Sequence, residues 1–217
     1  MRAYKFLNAC FGLKSLCERR LKQSRIHELN DPFELRPYDV TDLLSRWAFL
    51  KTREDIGKDR GLLCLSKDWS NPVLWAHYGD NHRGLCLGFE IPDQQGGPDD
   101  ESRSVSYISN PLEFPANFEE MPEDEGLKVM EKVLFTKFEH WTYEQEVRVW
   151  APLQNEENGL HYLEFDEKLR LVEVIMGEKC TLQKSAIMLA LGEHAAQVQI
   201  IKARAAYGEF KMVKDEG

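Results

Sequence analysis

Hydrophobic and polar positions along the chain follow two periods, and the switches between them predict the elements. Residues 4–7 read as a short strand, and Leu13, Leu16, Cys17, Arg20 and Leu21 then recur with helical spacing. An extended 25–27 completes a strand, helix, strand opening. Asn30-Asp31-Pro32-Phe33-Glu34 is a turn, because Asn and Asp accept backbone hydrogen bonds and Pro32 presets its φ. Val40, Leu43, Leu44, Trp47 and Leu50 mark a helix capped near Asp39 and finished by Gly57.

Leu62-Leu63-Cys64-Leu65, bounded by Gly61 and Ser66, has the pattern of a strand covered on both faces, with its first polar side chain at its carboxyl end. Ser70-Asn71-Pro72 starts a helix of one to two turns that stops at Gly79, and a strand over 84–91 follows. Residues 92–124, rich in Gly, Pro and acids, read as an irregular acidic insertion with one strand near 105–108. Leu127, Met130, Val133, Leu134 and Phe138 support a helix, and 143–150 alternate as a strand. Strands near 160–165 and 170–176, a helix over 182–194, and strands near 198–203 and 209–213 complete the pattern. Many strands with helices clustered early and late predict a single α+β domain, 1–217, of two packed or split antiparallel sheets flanked by helices.

Composition narrows the class. The 217 residues are 42% hydrophobic, enough to bury a core and to set aside a disordered chain. No apolar run approaches the roughly 20 residues that span a bilayer, and the amino terminus lacks the apolar core of a secretion signal. A cytoplasmic protein that meets no membrane is the expectation. Cys10, Cys17, Cys64, Cys86 and Cys180 are scattered without a Cys-x-x-Cys pair, which predicts free thiols. The net charge of −9 equals the sum over residues 91–125, so the remainder is neutral, and the first 30 residues carry seven bases against two acids. An anionic ligand suits that segment, as does a solvated helix face.

No phosphate loop, Gly-x-Gly-x-x-Gly or Gly-x-Ser-x-Gly occurs, which argues against nucleoside triphosphatases, Rossmann dehydrogenases and α/β-hydrolases. The six histidines form no Cys/His array, so no metal ligands are assigned. The best catalytic candidate is Tyr143-Glu144-Gln145-Glu146-Val147-Arg148-Val149-Trp150. In a strand, Glu144, Glu146 and Arg148 share one face while Tyr143, Val147 and Val149 point to the other. The same octapeptide also suits a solvated face with a cross-strand ion pair.

Three segments together resemble a bacterial family catalogued as a domain of unknown function. They are Asn30-Asp31-Pro32-Phe33-Glu34; Cys64-Leu65-Ser66 through Trp75-Ala76-His77-Tyr78 to Arg83-Gly84-Leu85-Cys86-Leu87-Gly88-Phe89; and Trp141-Thr142-Tyr143-Glu144-Gln145-Glu146-Val147-Arg148. More distantly, their order resembles the ADP-ribosyltransferase fold, with a basic or His residue on a first strand, a strand ending in Ser, a short helix bearing Tyr and a later strand bearing Glu. That resemblance gives Lys5 or its neighbour Tyr4 the first position, Ser66 the second, Tyr78 the third and Glu146 the last. Lys5 departs from the usual Arg or His, and it supplies neither a bidentate fork nor an imidazole.

The resemblance implies NAD as the substrate cofactor and cleavage of its nicotinamide–ribose bond. Glu146 would stabilise the oxocarbenium-like state, Glu144 would take a proton from a protein or nucleic-acid acceptor, Ser66 would orient the nicotinamide carboxamide and Tyr78 would stack on its ring. Apart from the resemblance, Asn30, Asp31 and Glu34 form a cluster that suits either a turn capping backbone amides or a ligand loop beside the cleft, joined by Arg36. An effector or toxin of bacterial conflict or phage defence fits by analogy. Two other readings stay open: a nucleotide- or protein-binding module on the same fold, and a nuclease using Asp31, Glu34, Glu144 and Glu146 with magnesium.

Overall fold

In the computed structural model, which describes residues 1–91, 101–115 and 118–216, the central sheet grows outward from the amino-terminal strand. The chain runs β1 (Arg2–Leu7), α1 (Ala9–Glu18), β2 (Arg20–Gln23), β3 (Tyr38–Asp39), α2 (Leu43–Asp59), β4 (Arg60–Ser66), α3 (Pro72–His77) and β5 (Leu85–Glu90). It continues through β6 (Glu101–Ser104), β7 (Ser106–Ile108), β8 (Leu112–Glu113), α4 (Glu123–Phe135), β9 (Thr136–Phe138) and β10 (Glu146–Pro152). It closes with β11 (His161–Glu164), β12 (Arg170–Met176), α5 (Lys184–Leu191), β13 (Gln199–Ala205) and β14 (Met212–Lys214).

The α+β class holds, but the expected pair of packed or split antiparallel sheets does not. One mixed eight-stranded sheet, ordered β14-β13-β12-β5-β1-β4-β10-β6, is accompanied by the two-stranded sheets β11-β2, β3-β8 and β7-β9. β12 and β13 run parallel because α5 supplies the crossover that a parallel pair requires.

Alternation divides the core between the two faces. Leu63 and Leu65 of β4, Leu85, Leu87 and Phe89 of β5, and Val147 of β10 pack with Leu16 of α1 and with Ile187 and Leu191 of α5. On the opposite face, Tyr4 and Phe6 of β1 and Cys86 of β5 meet Leu74 and Trp75 of α3. A third cluster joins Leu62 and Trp150 to Phe49 of α2 and to Val129, Val133 and Leu134 of α4. All five cysteines are free thiols.

The feature that positions the site is a divergence of two central strands. β4 pairs with β10 from Ser66↔Glu146 to Arg60↔Pro152, but β1 and β4 share the single register pair Tyr4↔Ser66. Beyond that pair the ladder opens. Lys5 Nζ donates to the Cys64 carbonyl at 3.0 Å, supplying a partner that β1 does not give.

Several boundaries differ from the sequence pattern. Residues 26–28 form a 3-10 turn rather than a strand. Helix α2 is capped by Asp42, whose side chain accepts from Ser45 N, and Val40 lies outside it. Leu43, Leu44, Trp47 and Leu50 are exposed, so their spacing marks the helix without marking its buried face. Within the expected insertion at 92–124, residues 92–100 and 116–117 lie outside the described residues, while 101–115 carry β6, β7 and β8, with β6 paired to β10.

Candidate functional site

The chemistry gathers where β1 and β4 part. A cavity of about 250 Å³ there is lined by Tyr4, Lys5, Asn30, Ser66, Tyr78 and Glu144 among others, with Glu34, Lys137 and Glu146 completing its lining. Of the residues that the sequence offers for binding or cleaving NAD, Asp31 alone is absent from this lining. It is buried and its Oδ1 accepts from Phe33 N at 2.8 Å, so it holds the turn.

Glu146 reaches the cavity as the first residue of β10, directly opposite Ser66. Glu144 arrives by a different route from the one its alternation predicts. The strand does not extend back to Tyr143; residues 139–144 form a 3-10 helix, and Gln145 takes a left-handed conformation, φ 44°, before β10 begins. That turn is tied to β4. The Ser66 hydroxyl donates to the Glu144 carbonyl at 2.6 Å and accepts from Asp68 N at 3.1 Å, and Lys67 N donates to the Gln145 carbonyl at 3.0 Å. Ser66 therefore sets the direction of the Glu144 side chain.

Tyr78, the carboxyl-terminal cap of α3, donates its hydroxyl to Glu144 Oε1 at 2.6 Å and accepts from Asn30 Nδ2 at 3.4 Å. Burial, then the Glu144 carboxylate, pushes the Tyr78 phenol well above its ordinary value, so it remains a donor at neutral pH. Glu146 N donates to the Tyr107 hydroxyl at 2.8 Å, and burial with the adjoining carboxylates pushes that phenol up to about 12.

Beneath the cavity lies a buried ionic network that the sequence reading misses. Lys137 Nζ, on β9, lies 2.9 Å from Glu34 Oε1, 2.7 Å from Glu144 Oε2 and 3.2 Å from Glu146 Oε2, and its ammonium sits 4.7 Å from the centre of the Trp141 ring. Arg148 shares the sheet face of Glu146, as alternation predicts, but it is fully buried rather than surface-exposed. It donates Nε to Glu146 Oε1 at 2.8 Å and Nη1 to the Leu134 carbonyl at 2.7 Å, and it pairs through Nη2 with Glu34. Three carboxylates thus face two cations, with Lys5 on another wall of the cavity.

Burial alone would raise the Glu146 carboxyl, but Arg148 and then Lys137 reverse this and hold it at about 2. Burial opposes the Lys137 ammonium, and Glu146, Glu34 and Glu144 together outweigh it, raising that amine above the ordinary lysine value. Glu146 and Lys137 are therefore both charged at neutral pH. The floor of the cavity is preorganised and buried, the setting in which fixed charges act most strongly on a bound group. Among the described residues no cluster of three or more His, Cys, Asp or Glu is arranged to hold a metal ion, and no helix is long and apolar enough to cross a membrane.

The motif segments spaced far apart in sequence meet here: Asn30 and Glu34 from the first, Ser66 and Tyr78 from the second, Glu144, Glu146 and Arg148 from the third. Lys137 belongs to none of them. Its one legible signal is a lone base between Phe135 and Phe138. No curated protein and no solved structure matches the chain. Residues 74–149, which carry Tyr78, Lys137, Glu144, Glu146 and Arg148, match the family model described as a protein of unknown function, DUF2971.

Proposed function

We propose that this chain is an ADP-ribosyltransferase-like enzyme that binds NAD in the cavity between β1 and β4 and cleaves its nicotinamide–ribose bond. The observation that carries the reading is the alignment Tyr4↔Ser66↔Glu146 across three adjacent strands, with Glu144 and Tyr78 joined at the same opening. In the reaction the C1′–N bond breaks and its electron pair passes to the pyridinium nitrogen, releasing neutral nicotinamide. The ribose carbon becomes oxocarbenium-like, and Glu146, held ionised, faces that developing charge. An acceptor oxygen or nitrogen then adds to C1′ and gives its proton to Glu144. Lys5 supplies the cation suited to the dinucleotide phosphates, and the Tyr78 ring borders the nicotinamide.

One observation favours a second reading, a module that binds a nucleotide without turning it over. The Ser66 hydroxyl is engaged by the backbone on both sides, and both Glu146 oxygens already have cationic partners. The metal-dependent nuclease is disfavoured by donor chemistry, since the position between Glu34, Glu144 and Glu146 is filled by the Lys137 ammonium.

Nicotinamide release from NAD separates the two. The wild-type chain should release it, and Glu146→Gln should lower the rate by two or more orders of magnitude, about 3 kcal/mol of transition-state stabilisation. Because Glu146 is buried against Arg148, the variant must be assayed below its own melting temperature, with folding checked by circular dichroism. NAD binding without any nicotinamide release by the wild-type chain would leave the binding module.

A further inference from the structure

A second cavity, also about 250 Å³, lies on another side of Lys137, and its lining includes Phe33, Arg36, Asn110, Lys137 and Phe138. We propose that it binds a base of single-stranded nucleic acid, stacked on Phe33 and Phe138, with a neighbouring phosphate on Arg36; resting on the transferase reading, this makes the acceptor a nucleic acid.

Three observations point the same way. Phe33 is 70% exposed and Phe138 41% exposed, an unusual placing for two phenyl rings on one opening. Phe138 stacks at a tilt on His140, ring centres 4.4 Å apart, and a second run of ring contacts, Trp141 to Tyr143 to His77 to Tyr78, ends at the first cavity with Tyr78. Successive aromatic faces along a path are what unpaired bases stack on. Lys137 lines both cavities, so a base held in the second lies next to the carboxylates of the first.

Charge complementarity selects a nucleic acid over an aromatic peptide. Arg36 is exposed; its backbone N donates to the Phe33 carbonyl, and its guanidinium has no hydrogen-bond or ion-pair partner among the described residues. The nearby Arg53 has a buried Nε without a partner, and after burial the charge of Arg36 further lowers its pKa. Glu34, the carboxylate whose charge acts on Arg53, is already engaged by Arg148 and Lys137. A phosphate would relieve the repulsion between the two guanidiniums and give Arg36 a bidentate partner. Asn110, an exposed residue of the lining, offers an amide donor and acceptor to a base edge.

The test is fluorescence anisotropy with labelled single-stranded DNA and RNA pentamers and no NAD, which keeps it separate from turnover. The wild-type chain should bind, and Phe33→Ala and Phe138→Ala should each weaken binding by about tenfold. Arg36→Ala should weaken it and reduce the salt slope by about 0.7. Because Phe33 and Arg36 are exposed, their variants should keep the parental melting temperature. Absence of binding to either pentamer, indifference to both phenyl substitutions, or displacement of the pentamer by a Trp-Tyr peptide at equal concentration would overturn the proposal. Pentamer binding by a chain that releases no nicotinamide would leave this site standing and remove the transferase reading.

Discussion

Arg148 and Glu34, separated by 114 positions in sequence, form an ion pair in which both side chains are buried. Arg148 also holds Glu146 and the Leu134 carbonyl, three directions that a planar guanidinium serves together and an ammonium does not. Arg148→Met leaves Glu34 and Glu146 buried with a lost partner, and urea unfolding should register a loss of 3–5 kcal/mol, on the order expected for a broken buried pair. Arg148→Lys should recover only part of it. Arg2→Met, which removes an exposed pair with Glu90, should cost no more than about 1 kcal/mol. Equal losses at the two sites would show that the network does not hold the fold together.

Lys137 offers a test of coupling. Removing its charge in Lys137→Met brings three buried carboxylates together without the cation they share. The variant should be destabilised by several kcal/mol. Adding Glu34→Gln, which removes one of those charges, should restore part of the loss. A double-mutant cycle on urea midpoints should therefore give an interaction energy of at least about 1 kcal/mol, and additive losses would contradict a shared network.

How far the sequence reached depended on the range of each signal. Alternation correctly separated Val147, in the core beside α1 and α5, from Glu146 and Arg148 on the other sheet face. It misassigned Glu144, because a left-handed Gln145 breaks the strand at a residue whose identity carries no such signal. The two carboxylates still converge, since the Ser66 hydroxyl fixes the intervening turn from another strand. Glu34 read as part of a turn because its partners are remote in sequence. Lys137 lies on a three-residue strand, too short for a period to form. The parallel β12–β13 pair was hidden for a related reason: the helical spacing over 182–194 was visible, but nothing local specified which strand it crosses to.

The Glu146 carboxyl links the network to pH. Its value falls from an ordinary 4.5 to about 2 in the folded chain, with burial opposed by Arg148 and Lys137. A lowered folded value means the unfolded chain takes up the proton first. The stabilisation is therefore complete above about 4.5 and is lost as pH falls towards 2. A shift of this size corresponds to about 3 kcal/mol. The stability gap between wild type and Glu146→Gln, measured by urea unfolding, should shrink across that interval and stay level from pH 5 to 8. A gap that widened on acidification would reverse the sign and refute the assignment.

Gly84 lies where β5 leaves α3, within the Arg83-Gly84-Leu85 segment. A Cβ at this position would stand 2.0 Å from the Leu7 carbonyl oxygen and 2.9 Å from that of Gly79. Both obstacles are backbone, so no side-chain rotation relieves them. Gly84→Ala should cost at least about 1–3 kcal/mol. Gly126→Ala, in a helix with open space around it, should be neutral or slightly stabilising. Thermal unfolding of the pair checks the contrast, and an unchanged melting temperature for Gly84→Ala would mean that β1 and this turn are not in close contact.

On the transferase proposal, Glu144 and Glu146 should separate in their kinetics, because they would meet the reaction at different steps. In the proposed reaction Glu146 would face the charge that develops when the nicotinamide bond breaks, a step common to hydrolysis and transfer. Glu144, whose Oε1 accepts from Tyr78 and whose Oε2 accepts from Lys137, would remove a proton only from an acceptor. Water attacking an oxocarbenium-like carbon needs little help from a base, whereas a macromolecular hydroxyl or amide needs more. With NAD labelled in its adenosine half, Glu144→Gln should reduce nicotinamide release less than tenfold and acid-precipitable label by about a hundredfold. Tyr78→Phe, which keeps the ring and removes the hydrogen bond that orients Glu144, should follow the same split more weakly. Equal losses of release and transfer in Glu144→Gln would move this carboxylate into the bond-breaking step and leave acceptor deprotonation without a base.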